Sequence, residues 1–473
     1  MPKIFARDKC LQLSIAPVIE NDNIVSVLIS GDIDPNIFSA VKYSLGREIT
    51  FKIASLEEIS WAVEALYPAK DSSQKSSSNT DNNQHALLED HSTIRLIDDL
   101  ISEAINLKAS DIHLEPFEEK MLVRYRLDGV LQQKRIIKKM SILAVTSRLK
   151  IMSGLDIAEK RRPQDGRIRF KYDNRLVDIR VSVLPTDFGE KVVLRLLDKS
   201  TLRLDLNMLG FAPDDLATFK EKIKLPNGII LITGPTGSGK TTTLYAALNY
   251  IKSPSINITT IEDPIEYNLE GINQTQTKPE INLTFGSALR AILRQDPNVI
   301  MVGEIRDKET LDNALRASLT GHLVLSTVHA NDSISTIARL LDLGADKNLL
   351  GTALRLIVAQ RLIRKICPHC KTEPVDSNEK ATALALGLDS ETKIYNGKGC
   401  DKCLSIGYWG RTAIYEMLPI DRQFESAIIK GLDNRDALLT VLKGSGISTL
   451  REKGVELIRE GVTTPSEVLR ETS

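Results

Sequence analysis

A glycine-rich segment near the middle of the chain has the residue types and spacing of a phosphate-binding loop. Residues 234–241 read Gly-Pro-Thr-Gly-Ser-Gly-Lys-Thr and fit the pattern G-x-x-x-x-G-K-[ST]. The apolar run 228–233 predicts a strand before the segment, and the apolar spacing after Lys240 predicts a helix behind it. Glycines let consecutive backbone N–H groups curl around phosphate oxygens, and the helix dipole adds to that attraction. A glycine-rich turn that binds nothing is the alternative, and it would need neither flanking element.

The motif also predicts roles for individual side chains in binding ATP with Mg²⁺. Lys240 is expected to reach the β- and γ-phosphates, and Thr241 to ligate Mg²⁺. The predicted nucleotide-binding residues are Gly234, Pro235, Thr236, Gly237, Ser238, Gly239, Lys240, Thr241 and Thr242.

Two other predicted strands end in carboxylates. Ligands of open α/β sheets bind outside the carboxyl ends of the strands, so these groups are expected at the same edge as the loop. Glu304 is placed to meet Mg²⁺ or the attacking water, although a solvated strand-end carboxylate would look the same. Glu262 is the better candidate for polarising water, because it lies nearest to its strand terminus. For Asp263 and Glu266 a surface turn explains the sequence equally well.

A third strand, over 323–325, leads to His329. An imidazole at this edge can hydrogen-bond the γ-phosphate and report its loss. The alternative is a histidine that simply packs.

Four of the five cysteines form two Cys-x-x-Cys pairs, separated by residues 371–399. Cys₄ sites are tetrahedral and leave no open position for catalysis, so we predict a structural zinc clamp rather than a reactive centre. Its ligands would be Cys367, Cys370, Cys400 and Cys403. Unligated buried thiols are the alternative, and Cys10 is interpreted as an idle thiol.

The elements around these motifs predict an α/β fold. From residue 227 onward, short uninterrupted apolar strands alternate with helices, which indicates a parallel sheet buried on both faces. Before it, a helix over 94–105 and strands over 111–114, 121–127, 175–184 and 191–197 predict an α+β domain rich in arginine. Asp128-Gly129 is a strong hairpin signal in that domain.

The expected domain boundaries follow from composition. Residues 71–84 contain no apolar side chain, so we predict a flexible linker over 69–86. The predicted domains are a small N-terminal α/β module (1–68), the arginine-rich domain (87–200) and the ATPase domain (201–473), which includes the tetracysteine module (361–410) and a C-terminal helical region (411–473).

Charge and hydropathy narrow the class of partner. The 473 residues carry 62 basic and 62 acidic side chains, with 5% aromatics and no basic stretch interleaved with stacking residues, which argues against a nucleic-acid translocase. No apolar run reaches the length that spans a bilayer, so we expect a cytoplasmic chain whose membrane association depends on partners.

These elements, in this order, resemble the secretion ATPase superfamily. The similarity is closest to the type II secretion ATPases, with type IV pilus assembly ATPases next. The family signature corresponds to residues 293–307, LRQDPNVIMVGEIRD, and the acidic and histidine boxes to 260–266 and 326–332. Departures from the family pattern are Asn298, where aspartate is usual, and Ala330, where threonine is common.

The resemblance implies an architecture and a set of partners. It implies a RecA-like P-loop core preceded by a PAS-like arginine domain, with the N-terminal module as a docking domain. Arg180 and Arg195, with Arg167 as a third candidate, correspond to arginines that close over the γ-phosphate; salt-bridged strand residues are the alternative. The expected assembly is a homo-hexamer, peripheral at the inner membrane, bound to the cytoplasmic domain of a secretion or pilus platform protein.

Several functions stay open at this point. A type II secretion motor that builds a pseudopilus is the first, and a type IV pilus extension motor is its nearest rival. The tetracysteine module favours secretion or assembly over retraction, because the similar retraction ATPases lack it. A non-hydrolysing nucleotide-dependent scaffold is a third class, and the full set of acidic groups argues against it.

Overall fold

The architecture is taken from a computed structural model of the chain. It describes residues 15–21, 24–29, 48–54, 58–59, 62–63, 80–173, 175–197, 204–373, 376–430, 438, 440–441, 444 and 446–473. The chain divides into two compact units, Met1–Leu87 and Leu88–Ser473.

The N-terminal unit contains a three-stranded sheet. Its strands are β1 (Ile15–Asn21), β2 (Ile24–Ile29) and β3 (Glu48–Ile53), with β1 antiparallel and β3 parallel to β2. Ile59 and Val63 are buried and pack with Leu28 of β2. The sequence predicts a helix over 56–66, and most of that range lies outside the described residues.

The first long helix, α1 (Thr80–Asn106), begins inside the stretch that we predicted as a linker. The linker prediction therefore extends too far at its C-terminal end, while residues 69–79 lie outside the described residues. Polar residues do not prevent a helix from continuing N-terminal to its apolar part, because the packed turns stabilise the turns before them. The buried face of α1 includes Ile97, Ile101 and Ala104.

The arginine-rich domain is an antiparallel sheet covered by helices. Its strand order is β6-β5-β4-β9-β8-β7, and α1 and α2 (Lys139–Ser153) contribute residues to the same core. The strands are β4 (Asp111–Pro116), β5 (Lys120–Leu127), β6 (Val130–Lys138), β7 (Gln164–Tyr172), β8 (Arg175–Thr186) and β9 (Gly189–Leu197). The predicted hairpin at Asp128-Gly129 is confirmed, and both residues have positive φ angles.

The ATPase domain is built on a seven-stranded sheet of order β12-β11-β13-β14-β10-β15-β18. All neighbours are parallel except β15 and β18, so the predicted parallel α/β core is confirmed. The strands are β10 (Gly228–Thr233), β11 (Ile258–Glu262), β12 (Asn273–Gln276), β13 (Val299–Val302), β14 (Leu323–Val328), β15 (Leu354–Ile366) and β18 (Tyr408–Pro419). Strands β10, β11, β13 and β14 are buried along their whole length, as expected for a sheet covered on both faces.

Helices pack on this sheet and against its C-terminal extension. They are α3 (Pro213–Lys222), α4 (Lys240–Ile251), α5 (Phe285–Ile292), α6 (Lys308–Leu319), α7 (Ser333–Asp342), α8 (Lys347–Ala353), α9 (Ser377–Ala385), α10 (Arg422–Ile429), α11 (Leu450–Arg459) and α12 (Pro465–Thr472). Among the described residues, every helix is too short or too polar to span a bilayer.

The region 411–473, predicted as helical, opens instead with most of β18. Residues 413–418 are buried, and an apolar run of this length suits a strand that pairs with β15 over a long register. Strand β15 in turn extends to Ile366, so the cysteine-containing segment is an excursion between two paired strands. A small ladder, β16 (Lys371–Thr372) with β17 (Asn396–Gly397), closes its base.

Candidate functional site

The glycine-rich loop lies between β10 and α4 at the carboxyl edge of the sheet. Gly234, Gly237 and Gly239 all have positive φ angles, a conformation that residues with a side chain rarely adopt. A Cβ on Gly234 would lie 2.5 Å from the carbonyl oxygen of Gln360, so the loop needs glycine there for space as well. Ser238 is 3% exposed, and its hydroxyl has no partner among the described residues. The loop is therefore tightly packed, with three glycines at positive φ and a buried hydroxyl without a partner among the described residues, which suits a phosphate-binding loop.

Lys240 stands at the start of α4 and folds over the loop. Its ammonium donates to the carbonyl oxygens of Gly234 (2.8 Å) and Pro235 (2.9 Å). Burial, countered by Glu304 and reinforced by Arg361, lowers the pKa of Lys240 to about 8. Thr241 next to it is exposed, so its hydroxyl is accessible to a metal ion held by the loop.

Glu304 follows β13 and reaches the same edge. Its side chain is 12% exposed, it forms an ion pair with Arg306, and one carboxylate oxygen lies 3.4 Å from Nε2 of His329. Burial and the nearby Lys240 lower the pKa of His329, so the imidazole is neutral near pH 7 and can donate or accept a hydrogen bond. The sequence-predicted residues Glu304, His329 and Lys240 are thus brought together.

The segment around His329 (residues 326–332, the histidine loop) is hydrogen-bonded to β10, the strand that precedes the glycine-rich loop. The Thr233 hydroxyl donates to the carbonyl of Val328 (3.0 Å) and accepts from the N–H of Ala330 (3.1 Å). On the other side, the Thr327 hydroxyl donates to the carbonyl of Gly303 at 2.7 Å. The chain on either side of His329 is therefore hydrogen-bonded to the residue before the phosphate loop and to the residue before Glu304.

Glu262 is placed differently from the prediction that it polarises water. It ends β11 but is only 3% exposed, and its carboxylate accepts from Thr260 (2.6 Å), Gln274 (3.0 Å) and the Tyr245 hydroxyl. These bonds occupy both carboxylate oxygens. In this arrangement Glu262 joins α4, β11 and β12 beneath the site and has no contact with solvent that would let it activate water.

The three predicted arginines lie side by side. Arg167, Arg180 and Arg195 are direct partners across β7, β8 and β9, which places them on one face of the sheet. Arg180 extends to the loop after β11, where it donates to the carbonyl of Ile265 (2.7 Å) and pairs with Glu266 (3.1 Å). Arg195 instead pairs with Asp111 at 3.1 Å and is half exposed, and Arg167 is exposed.

The four cysteines converge on a single point. Their sulfur atoms all lie within 4.8 Å of one another, and three pairs are separated by 4.0, 3.8 and 3.7 Å. Four sulfurs at about 2.3 Å from a tetrahedral ion would be about 3.8 Å apart, so the donor set fits zinc. The cluster needs glycine nearby, because a Cβ on Gly397 would lie 2.0 Å from the carbonyl oxygen of Gly407.

Comparison with known proteins shows the family. The model of the type II/IV secretion system protein family matches residues 86–470. The chain belongs to this family. The type II secretion system protein E of Dickeya dadantii is 49% identical over 384 residues, which are 81% of this chain and 76% of that protein.

The chain is also similar to two pilus motors. The type IV pilus assembly ATPase PilB of Myxococcus xanthus is 43% identical over 463 residues, 93% of this chain and 81% of that protein. The crystal structure of the pilus retraction motor PilT with bound ADP is 27% identical, with a TM-score of 0.54 over 79% of this chain and 96% of that one. As a member of the type II/IV secretion family, the chain is an ATPase.

Three polar residues near the site were not predicted from the sequence. Arg306 pairs with Glu304, and Gln360 and Arg361 on β15 contact the glycine-rich and histidine loops. The available signal was a polar pair inside the otherwise apolar run 356–363, since buried strands seldom carry unpaired polar groups.

Proposed function

We propose that this chain is the ATPase motor of a type II secretion system, which uses Mg²⁺-dependent ATP hydrolysis to assemble a pseudopilus and export proteins. The observation that carries the proposal is the meeting of Lys240, Glu304 and His329 at one sheet edge, in a chain of the type II/IV secretion family. Such an arrangement combines a phosphate cradle, a carboxylate and a neutral imidazole around one reacting group.

Within this site, Lys240 and the N–H groups of the loop would hold the β- and γ-phosphates, and Thr241 would ligate Mg²⁺. Glu304 would orient the attacking water or a ligand of Mg²⁺, and His329 would hydrogen-bond the γ-phosphate. We assign Glu262 to the support of this edge, because its carboxylate is buried and hydrogen-bonded on both oxygens.

Arg167, Arg180 and Arg195, the arginine row, would close over the γ-phosphate when the two domains approach each other. A guanidinium stabilises the transition-state charge only when it is brought against the γ-phosphate, so domain closure and hydrolysis become coupled. Arg180 already reaches the loop that follows β11, and Arg195 and Arg167 extend the row. We infer that the working form is a homo-hexamer, docked through residues 1–68 on the cytoplasmic domain of an inner-membrane platform protein.

Type IV pilus assembly is the second candidate, favoured by the relative PilB, which aligns over 93% of this chain. Deleting the gene separates the two. Loss of exoprotein release with normal surface piliation is the expected result, with rescue by the wild-type gene and by neither Lys240→Ala nor Glu304→Gln. Loss of piliation with normal secretion would overturn the first assignment in favour of the second.

We propose that the cysteine cluster holds a structural Zn²⁺ ion. The N–H groups of Cys400 and Gly407 donate to the Cys403 sulfur at 3.2 and 3.3 Å, and such donors stabilise a thiolate. The thiolate is the form that binds zinc.

Cys403→Ser is therefore expected to reduce the zinc content from about one ion per chain to nearly none. The segment between β15 and β18 should then become sensitive to proteases, because metal binding and folding are coupled in such modules. Elemental analysis and limited proteolysis measure the two effects. Cys10→Ser is the matched control and should keep the ion; equal zinc in both variants contradicts the assignment.

A further inference from the structure

A buried glutamine on the strand beside the glycine-rich loop has a contact pattern that suits the control of that loop. Gln360 lies on β15, which runs parallel to β10 with Ala359 opposite Thr233. Gln360 is therefore level with Gly234, the first residue of the loop. It is 3% exposed, at a position where an apolar side chain would serve the core without needing partners.

The two ends of the Gln360 amide contact the middle of the loop and the helix that follows it. Its Nε2 donates to the carbonyl oxygen of Ser238 at 2.7 Å, and its Oε1 accepts from the hydroxyl of Thr243 at 2.7 Å. The orientation of the amide follows from the partners, because a carbonyl can only accept and so must face the nitrogen. One side chain thus spans from the loop to the first turn of α4.

The backbone of Gln360 is equally close to the loop. A Cβ on Gly234 would lie 2.5 Å from the carbonyl oxygen of Gln360. A Cβ on Gly239 would lie 2.8 Å from Nε2 of the Gln360 side chain. The same carbonyl accepts from Nη1 of Arg361 at 3.1 Å, and Nη2 of Arg361 donates to the carbonyl of Asn331 at 2.7 Å. Gln360 is therefore held in place from the side of the histidine loop.

A loop with three glycines at positive φ angles has many conformations available to it, and only a few direct its N–H groups at a common point. A fixed amide that ties Ser238, in the middle of the loop, to Thr243 in the first turn of α4 restricts the others before a ligand arrives, so less ordering has to accompany binding. We propose that Gln360 is a positioning residue that pre-organises the glycine-rich loop for the β- and γ-phosphates of the nucleotide. This inference rests on the proposed nucleotide site.

The test compares nucleotide affinities rather than activity alone. Gln360→Met keeps the length and volume of the side chain but removes both hydrogen bonds. The Ser238 carbonyl loses its Nε2 donor, and the Thr243 hydroxyl retains its 3.4 Å contact with the carbonyl of Gly239. We expect the Kd for ADP to rise about ten-fold or more, and the KM for ATP to rise with it. The Kd for AMP should not change, because AMP lacks the phosphates that this loop holds. A side chain that only stabilised the fold would lower Tm without changing the ratio of ADP to AMP affinity.

Companion variants keep the result interpretable if Gln360→Met folds poorly. Thr243→Val removes the hydroxyl that donates to Gln360 Oε1 and should weaken ADP binding. Thr243→Ser keeps a hydroxyl at this position and should bind ADP with an affinity close to that of the wild type. The effects of Gln360→Met and Thr243→Val on the Kd for ADP should be less than additive in the double variant, because the shared hydrogen bond is lost only once. Thr463→Val is the matched control, since Thr463 is buried and donates to the carbonyl of Arg364 at 2.8 Å on the same strand.

Lys240→Ala distinguishes failure of this inference from failure of the proposed function. If Lys240→Ala loses ADP binding while folded Gln360→Met and Thr243→Val both keep it, the positioning role is wrong and the nucleotide site stands. If Lys240→Ala also binds ADP with unchanged affinity, the nucleotide site itself is wrong.

Discussion

Glu304→Gln is expected to reduce ATP turnover by about 100-fold or more while leaving nucleotide affinity nearly unchanged. The glutamine has the same shape, but it cannot accept a proton from water and is a weaker ligand for a metal ion. The structure places the Glu304 carboxylate beside His329 and Arg306, with only 12% of the side chain exposed, so its charge acts in a weakly screened environment. Single-turnover hydrolysis and equilibrium binding of ADP measure the two quantities separately.

The dependence on Mg²⁺ concentration tells which of two roles Glu304 fills. If Glu304 orients the water, saturating Mg²⁺ leaves the Glu304→Gln defect in place; if it holds the ion, high Mg²⁺ reduces the defect. Glu309→Gln is the matched control, because Glu309 is more than half exposed on α6 and pairs with Arg290. Equal turnover in wild type and Glu304→Gln contradicts both roles.

The position of functional side chains at the carboxyl edge of the sheet could be predicted from the sequence, because it depends on few physical rules. A buried parallel sheet follows from uninterrupted apolar runs, and the carboxyl ends of its strands share an edge, so Lys240, Glu304 and His329 were expected at that edge. They are also neighbours because β13, β14 and β10 are adjacent in the sheet. The cysteine cluster was predictable for a similar reason, since two Cys-x-x-Cys pairs each present their thiolates on one side of a tight turn.

Glu262 shows where that reasoning stops. Its position at the end of β11 was predicted, but its environment was not, because Tyr245, Thr260 and Gln274 come from three different elements. Which of two strand-end carboxylates is buried depends on side chains that arrive from elsewhere in the fold. Sequence position alone therefore overstated the case for Glu262 as the group that polarises water.

The contacts of the arginine row and of Gln360 could not be predicted from the sequence either. Arg167, Arg180 and Arg195 carried a signal in the resemblance, but only the register of β7, β8 and β9 shows that they are direct neighbours. Gln360 carried a weaker signal, a polar residue in a buried strand, and its partners Ser238 and Thr243 lie more than one hundred residues earlier in the chain. Contacts of this kind depend on strand order, which periodicity does not encode.

The predictions for the linker and for the C-terminal region were wrong in part for local reasons. Most of β18 lies in a region that was predicted as helical, because a short apolar run is compatible with either a buried helix or a buried strand. The predicted linker overlaps α1, because polar composition reports solvent exposure better than it reports backbone conformation. Neither difference touches the residues of the candidate site.

Arg180→Ala is expected to slow turnover by about 1,000-fold, the lower end of what an arginine contributes when it closes on a transferring phosphoryl group. Nucleotide affinity should be spared, because the guanidinium contacts the loop after β11, at Ile265 and Glu266, and not the glycine-rich loop. Arg180→Lys should recover little of the rate, since an ammonium cannot match the planar fork of donors. The measurement is turnover at a protein concentration where sedimentation shows the same assembly for each variant.

Two further variants test whether the effect is specific to Arg180. Arg135→Ala is the matched control: it removes an exposed arginine from the opposite edge of the same sheet, where Arg135 pairs with Glu103 at 3.5 Å, and it should leave turnover unchanged. If Arg180 serves only the ion pair with Glu266, then Glu266→Gln should slow turnover as much as Arg180→Ala does. If Arg180 acts on the phosphate, Glu266→Gln frees the guanidinium and turnover is kept or raised. The Glu266→Gln variant thus separates a stabilising contact from a closing one, because the two roles predict opposite changes in rate.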